Sequence, residues 1–252
     1  MAPTTMKAPD NPKFTEPLYN LTEASLYLGL SPRTFWDWVH GQGRSEPLIS
    51  NTAGARRGEP AVSFIGLSEG MVLRAFRKAG LSLQYVRKAL RALQEDATQA
   101  GIDARYALAS QRLYKHGARV LVDYSDDEET RRLFELVSKN MVFTPIVENH
   151  LQRITYGEDG WASRLILPAT PTELVTVDPL RAAGQPLTIR GGARVVDIID
   201  RFRGGEAPDF IGRDFGLPPE DVIEIIRAFY TPRPSSSTAA SAASSSRTPF
   251  AA

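Results

Sequence analysis

The stretch from Tyr19 to Leu93 constrains this chain more than any other part, because helix stops and starts follow one another there at short intervals. Thr22 is a good N-cap, Glu23 sits favourably in a first turn, and Leu21, Ala24 and Leu28 give a short apolar face. Gly29 ends that helix. Ser31 and Pro32 start another at once, since serine caps a free amide and proline is tolerated at the first helical position. The second helix runs to His40, where Gly41 and Gly43 stop it. Two short helices joined by a glycine-containing turn predict a helix-turn-helix, whose second helix offers its N-terminal residues to a major groove.

Beyond it, PLIS (47–50) and AVSFIGL (61–67) flank a polar Gly/Arg-rich tip (51–60), and the trio reads as a β-wing. Ser68-Glu69 then caps a helix with Met71, Val72, Ala75 and Phe76 at helical spacing. Gly80 breaks it, and Ser82 caps another with Leu83, Val86, Leu90 and Leu93 on one face. Charge supports the same division. From Ser31 to Gln94 there are ten Lys/Arg against four Asp/Glu; from Glu95 to Thr170 there are nine against twelve. A basic front on a chain of net charge +1 suits a protein that meets a polyanion at one end only.

The chain has no cysteine, which excludes disulfides, thiolate metal sites and thiol catalysis and agrees with a reducing, cytoplasmic setting. Nothing resembles a secretory signal or the roughly 20 apolar residues of a membrane span. His40, His116 and His150 lack ligand spacing, and G-x-S-x-G, P-loop and Rossmann patterns are all missing. The expectation is a non-enzymatic protein without metal or cofactor. The acidic run from Asp123 to Glu129 reads as a helix cap.

The fold class expected is α+β, mainly helical. Residues 1–18 form a flexible arm with four prolines, 19–95 a winged helix-turn-helix domain, and 96–170 an α+β middle region. That middle region has strands over 118–124 and 161–168 and a helix over 128–139. Residues 171–230 form a trihelical unit, with helices Val195–Arg203, Ala207–Phe215 and Pro219–Phe229, and residues 231–252 a Ser/Ala-rich disordered tail. In the trihelical unit Asp197, Asp200, Asp209, Asp214, Glu220, Asp221 and Glu224 outnumber Arg201, Arg203, Arg213 and Arg227. That balance suits a protein partner better than DNA. Ile198, Ile199, Phe202, Phe210, Val222 and Ile226 serve either dimerisation or the unit's own core.

YNLTEASLYLGLSPRTFWDWV (19–39), followed by VSFIGLSEGMVLRAFRKAGLSLQYVRKAL (62–90), resembles a MerR-type winged helix and its trailing helices. The C-terminal block is similar to a compact antitoxin-like domain encoded beside PIN-type ribonuclease toxins. The matching pieces are Gly184-Gln185-Pro186, Arg190-Gly191 with Arg194-Val195, Gly205-Glu206 and the helix start from Leu217 to Val222. This sequence departs from that pattern in running Gly191-Gly192-Ala193-Arg194, where a Thr is common. Together the parts resemble a long VapB-type antitoxin of a type II toxin–antitoxin system.

The resemblance implies an antitoxin that neutralises a PIN-domain ribonuclease toxin and, as a homodimer, binds operator DNA to regulate its own operon. Ser31, Arg33, Thr34 and Trp36 on the second helix, with Arg56 and Arg57 at the loop tip, are the candidate DNA contacts; otherwise the arginines are ordinary solvated cations. Trp36 stands where MerR-like recognition helices carry Arg, and Asp37 follows it. In the tail Arg233, Arg247 and Phe250 are candidates for entering the toxin's acidic metal site, since a guanidinium fits a cluster of carboxylates. A stand-alone MerR-like transcriptional regulator is the alternative, and a protein–protein adaptor a third reading.

Overall fold

A computed structural model describes residues 11–94 apart from 44, 52–54, 57, 85, 88, 89, 92 and 93, and then 104–111, 149 and 151–230. The strand expected over 118–124, the helix over 128–139 and the tail from 231 lie outside the described residues. So do Arg57, Arg233, Arg247 and Phe250.

The fold is α+β and mainly helical, with the helix-turn-helix at its N-terminal end. Helix α1 (Pro12–Thr15) comes first, followed by α2 (Leu21–Tyr27) and α3 (Pro32–His40). The far end of the expected arm is therefore ordered: Phe14 is buried and packs edge-on against Tyr106 and Trp161. Lys13 pairs with Asp159. Only long-range partners make this possible, so local composition does not reveal it. The cap of α2 is Asn20 rather than Thr22. Asn20 Oδ1 accepts the Glu23 amide and Glu23 Oε2 accepts the Asn20 amide, both at 2.9 Å, a reciprocal capping box. Ser31 caps α3 as expected, its Oγ accepting the Thr34 amide at 3.1 Å.

Helix α4 (Phe64–Lys78) corrects the wing. Residues 61–67 do not form its second strand, and 47–50 are not a strand either; Val62 makes only an isolated bridge to Tyr19. Ser63 Oγ accepts the Gly66 amide at 3.1 Å and starts the helix five residues before Ser68. Every residue from Phe64 to Phe76 is buried, so the short apolar run is the first turn of a helix enclosed on all sides. Gly66 and Gly70 allow that enclosure. A Cβ on Gly66 would lie 2.5 Å from the Ser50 carbonyl oxygen, and one on Gly70 2.6 Å from Leu28 Cδ1. Positions 83–94 are helical wherever described, with Val86 buried.

Strands β1 (Ile154–Tyr156), β2 (Ala162–Ile166), β3 (Val175–Val177) and β4 (Leu187–Thr188) form an antiparallel sheet in sequence order. β2 lies within the stretch expected as a strand over 161–168. Thr188 Oγ1 accepts the Ala193 amide at 2.9 Å and donates to the Arg190 carbonyl at 2.6 Å, closing the glycine-rich turn without a threonine inside it. Helices α5 (Val195–Arg203), α6 (Pro208–Phe215) and α7 (Pro219–Phe229) follow. Ile198, Ile199, Val222 and Ile226 belong to the core, leaving Phe210, 58% exposed, as the open member of the apolar group. One continuous core runs from Phe14 through α4 and the sheet to Phe229. The buried Tyr19 joins the first helices to the sheet end by donating its hydroxyl to the Gly184 carbonyl at 2.9 Å. Among the described residues no helix is long and apolar enough to cross a membrane.

Candidate nucleic-acid interface

Three residues at helical spacing, Arg33, Trp36 and His40, build one face of α3. The Arg33 guanidinium lies over the Trp36 ring, 5.2 Å from its centroid. His40 stacks on the same indole at 4.4 Å and 18°, held by a contact of 3.1 Å between its Nδ1 and the Trp36 carbonyl. Phe35 and Trp38 point inward and are buried. The helix thus shows an aromatic and cationic stack outside and a purely apolar face inside.

That face borders a groove of about 840 Å³. Asn20 and Thr22 at the start of α2 close one side, and Asn51, Arg56 and Glu59 come from the loop after α3. The groove brings together Arg33, Trp36 and Arg56. Ser31 and Thr34 do not line it; their hydroxyls lie 2.8 Å apart and hold the helix end. The Arg33 side chain is 73% exposed, and Arg56 has no ion pair among the described residues. Glu59 accepts the Arg56 backbone amide at 2.9 Å, shaping the loop tip.

Asp37 does not oppose an anion in the way its position suggests. Its side chain is only 20% exposed, and Oδ1 lies 3.2 Å from an Arg33 nitrogen. The pair is close enough to be ionic but is not aligned as a hydrogen bond, which leaves that oxygen buried without one among the described residues. His40 and Asn51 are groove residues that a scan for cations misses. The spacing of four between Trp36 and His40 is the signal for the first. Asn51 donates Nδ2 to the Val39 carbonyl at 3.2 Å, a contact with no local signature.

Residues 17–90 match the family described as "Putative DNA-binding HTH domain". A relative from Mycobacterium tuberculosis, named "Putative antitoxin VapB45", is 32% identical over 233 residues, which is 86% of this chain and 95% of the relative. The chain belongs to the VapB45 antitoxin family. The crystal structure of Rv2018 from Mycobacterium tuberculosis agrees, with a TM-score of 0.68 and 31% identity over 84% of this chain and 98% of that one.

At the C-terminal end of this VapB45-family chain, the arginines of α5 and of its N-cap are paired with nearby carboxylates. Arg201 binds Glu206 and Asp214, Arg203 pairs with Asp200 at 3.0 Å, and Arg194 with Asp197 at 2.7 Å. The hydrogen bonds that Arg201 donates to Glu206 and then to Asp214 raise its pKa further above its ordinary range. Cations spent on neighbouring carboxylates have little left for phosphate.

Proposed function

We propose that this chain is a non-enzymatic, cytoplasmic antitoxin that binds operator DNA as a homodimer through the α3 groove, regulates its own operon, and neutralises a PIN-domain ribonuclease toxin. One observation carries the DNA half: Arg33 and Arg56, distant in sequence, line one groove beside an exposed indole. An arginine at a recognition-helix start reaches base edges or phosphates, and one on an adjoining loop adds sequence-independent grip. Trp36 offers a flat surface for a sugar or a splayed base and keeps Arg33 extended. The order of helices supports reading the head as MerR-like, without paired wing strands among the described residues.

The toxin half rests on the likeness to the protein named an antitoxin and on the acidic, internally paired trihelical unit, whose exposed Phe210 suits a protein contact. Arg233, Arg247 and Phe250 are assigned to the inhibitory segment, because an arginine with an apolar anchor fits a carboxylate-lined site. Co-expression with the neighbouring small open reading frame tests this half. The full chain relieves that protein's toxicity, and a chain ending at Tyr230 does not, while both shift promoter DNA equally. A harmless neighbour, or toxicity that persists with the full chain, contradicts the assignment.

A further inference from the structure

We propose that the pocket between α4 and the 167–173 loop is a binding site for a small phosphate-bearing anion. Arg74, Lys78 and Arg153 converge on this cavity of about 290 Å³, with Gln152 and Thr170 as neutral polar neighbours. Among the described residues Glu173 is its one lining carboxylate, 3.6 Å from Arg153 Nε. Glu224, on α7, is engaged by the Thr172 hydroxyl and amide of this loop. Among the described residues three positive groups therefore face one another against a single acid, a net local charge of +2.

Arg74 gives the strongest reason to expect a ligand. It is only 8% exposed, and among the described residues its one hydrogen bond goes to the Pro168 carbonyl at 3.4 Å. A guanidinium carries five donors, and a recessed charge with one long bond is costly unless an anion completes it. Stapling the loop does not account for the group. Arg153 does bond the Leu167 and Pro171 carbonyls, at 3.5 and 3.2 Å. Lys78, however, has no hydrogen bond or ion pair among the described residues and lines the same wall. The mutual strain is visible in both groups on α4. Burial lowers the pKa of Arg74, and Arg153 lowers it further; burial lowers that of Lys78, with Arg74 and Arg153 adding to it.

Two guanidiniums and an ammonium suit a tetrahedral, multiply charged oxyanion, which accepts forked bonds from several directions. The cavity is larger than one inorganic phosphate requires, so a phosphate ester of a small molecule fits the class. A duplex is a poor occupant. This pocket shares no lining residue with the α3 groove, and Arg74 is recessed in it. Arg74 also lies under the helix-turn-helix turn, its Nη2 3.8 Å from where a Cβ of Gly29 would stand. A ligand here would therefore sit beside the turn that aims α3.

Isothermal titration calorimetry of the full chain with inorganic phosphate, against chloride at equal ionic strength, tests the site. Saturable binding of one phosphate per chain is expected. Lys78→Ala, which removes an exposed side chain and leaves the core intact, weakens it about tenfold, the loss of one charge-assisted contact. Lys78→Arg retains it, and Arg33→Ala leaves it unchanged. Heats that do not saturate, or that are equal in wild type and Lys78→Ala, overturn the proposal. So does a result in which phosphate fails to bind while Lys78→Ala weakens duplex DNA binding, which would assign these cations to nucleic acid.

Discussion

The Glu69 carboxyl accepts the Ser50 backbone amide at 2.7 Å, and the Ser50 hydroxyl reaches its other oxygen at 3.3 Å. An acid within the buried helix α4 thereby holds the segment that leaves α3 for the groove. Burial pushes the Glu69 pKa up to about 8, with the two Ser50 bonds pulling weakly the other way.

Stability should therefore fall as pH rises through Glu69. Its folded pKa lies above its unfolded one, so between about pH 4.5 and about 8 the folded chain holds a proton that the unfolded chain has lost. The loss is up to about 1.4 kcal/mol per pH unit across that window. Glu69→Gln keeps a carbonyl for the Ser50 amide and a donor for its hydroxyl. Urea unfolding should show the variant equal to wild type near pH 4.5 and more stable at pH 8. Equal stabilities at both pH values contradict the assignment.

The same contact predicts the cost of a methyl group. Gly66→Ala places a Cβ 2.5 Å from the Ser50 carbonyl oxygen, where backbone must move. A loss of about 1–3 kcal/mol is expected from denaturant midpoints. Gly43→Ala meets no atom within 4 Å, so its cost should be that of its positive φ alone, about 1–2 kcal/mol.

Tyr19→Phe removes the hydroxyl that ties the first helices to the sheet end and leaves the Gly184 carbonyl without that donor. Burial holds this hydroxyl protonated far above the usual tyrosine range, so its bond persists at any working pH. A destabilisation of about 1–3 kcal/mol is expected, independent of pH from 6 to 9. Thermal or urea melts across that range provide the check.

Features encoded locally were the legible ones. Ser31, Pro32 and Gly41 bound α3 because a cap, a fixed φ and a helix-ending glycine act within a few residues. The limits of α5 and α7 follow from the same chemistry and from apolar spacing. The run 61–67 misleads because an apolar stretch that short has no period to separate a strand from a buried helix. Ser68, which looks like a cap, lies mid-helix with a buried hydroxyl that has no hydrogen bond partner among the described residues. Phe14 is invisible as a core residue without Trp161, and Arg74 as a pocket residue without Arg153. In the groove Arg33 and Arg56 stand out as cations and His40 is signalled by its spacing of four from Trp36, whereas Asn51 acquires its place only through the fold.

Trp36→Ala should separate the groove's chemistry from its stability. The indole is 41% exposed and touches Arg33 and His40 rather than the core. Its removal should cost under about 1 kcal/mol of folding stability. Because Arg33 loses its support, DNA affinity should fall several-fold. A large drop in unfolding midpoint would show instead that the stack is structural.

The most direct test of the central claim is fluorescence anisotropy of the full chain with a duplex from its own upstream region, measured over a salt series. Wild type should bind with strong salt dependence. Arg33→Ala should lose about 1–3 kcal/mol, roughly tenfold or more, and Arg56→Ala should lower the salt slope by about one unit. Identical affinities and slopes for wild type and both variants would show that the α3 groove does not hold DNA.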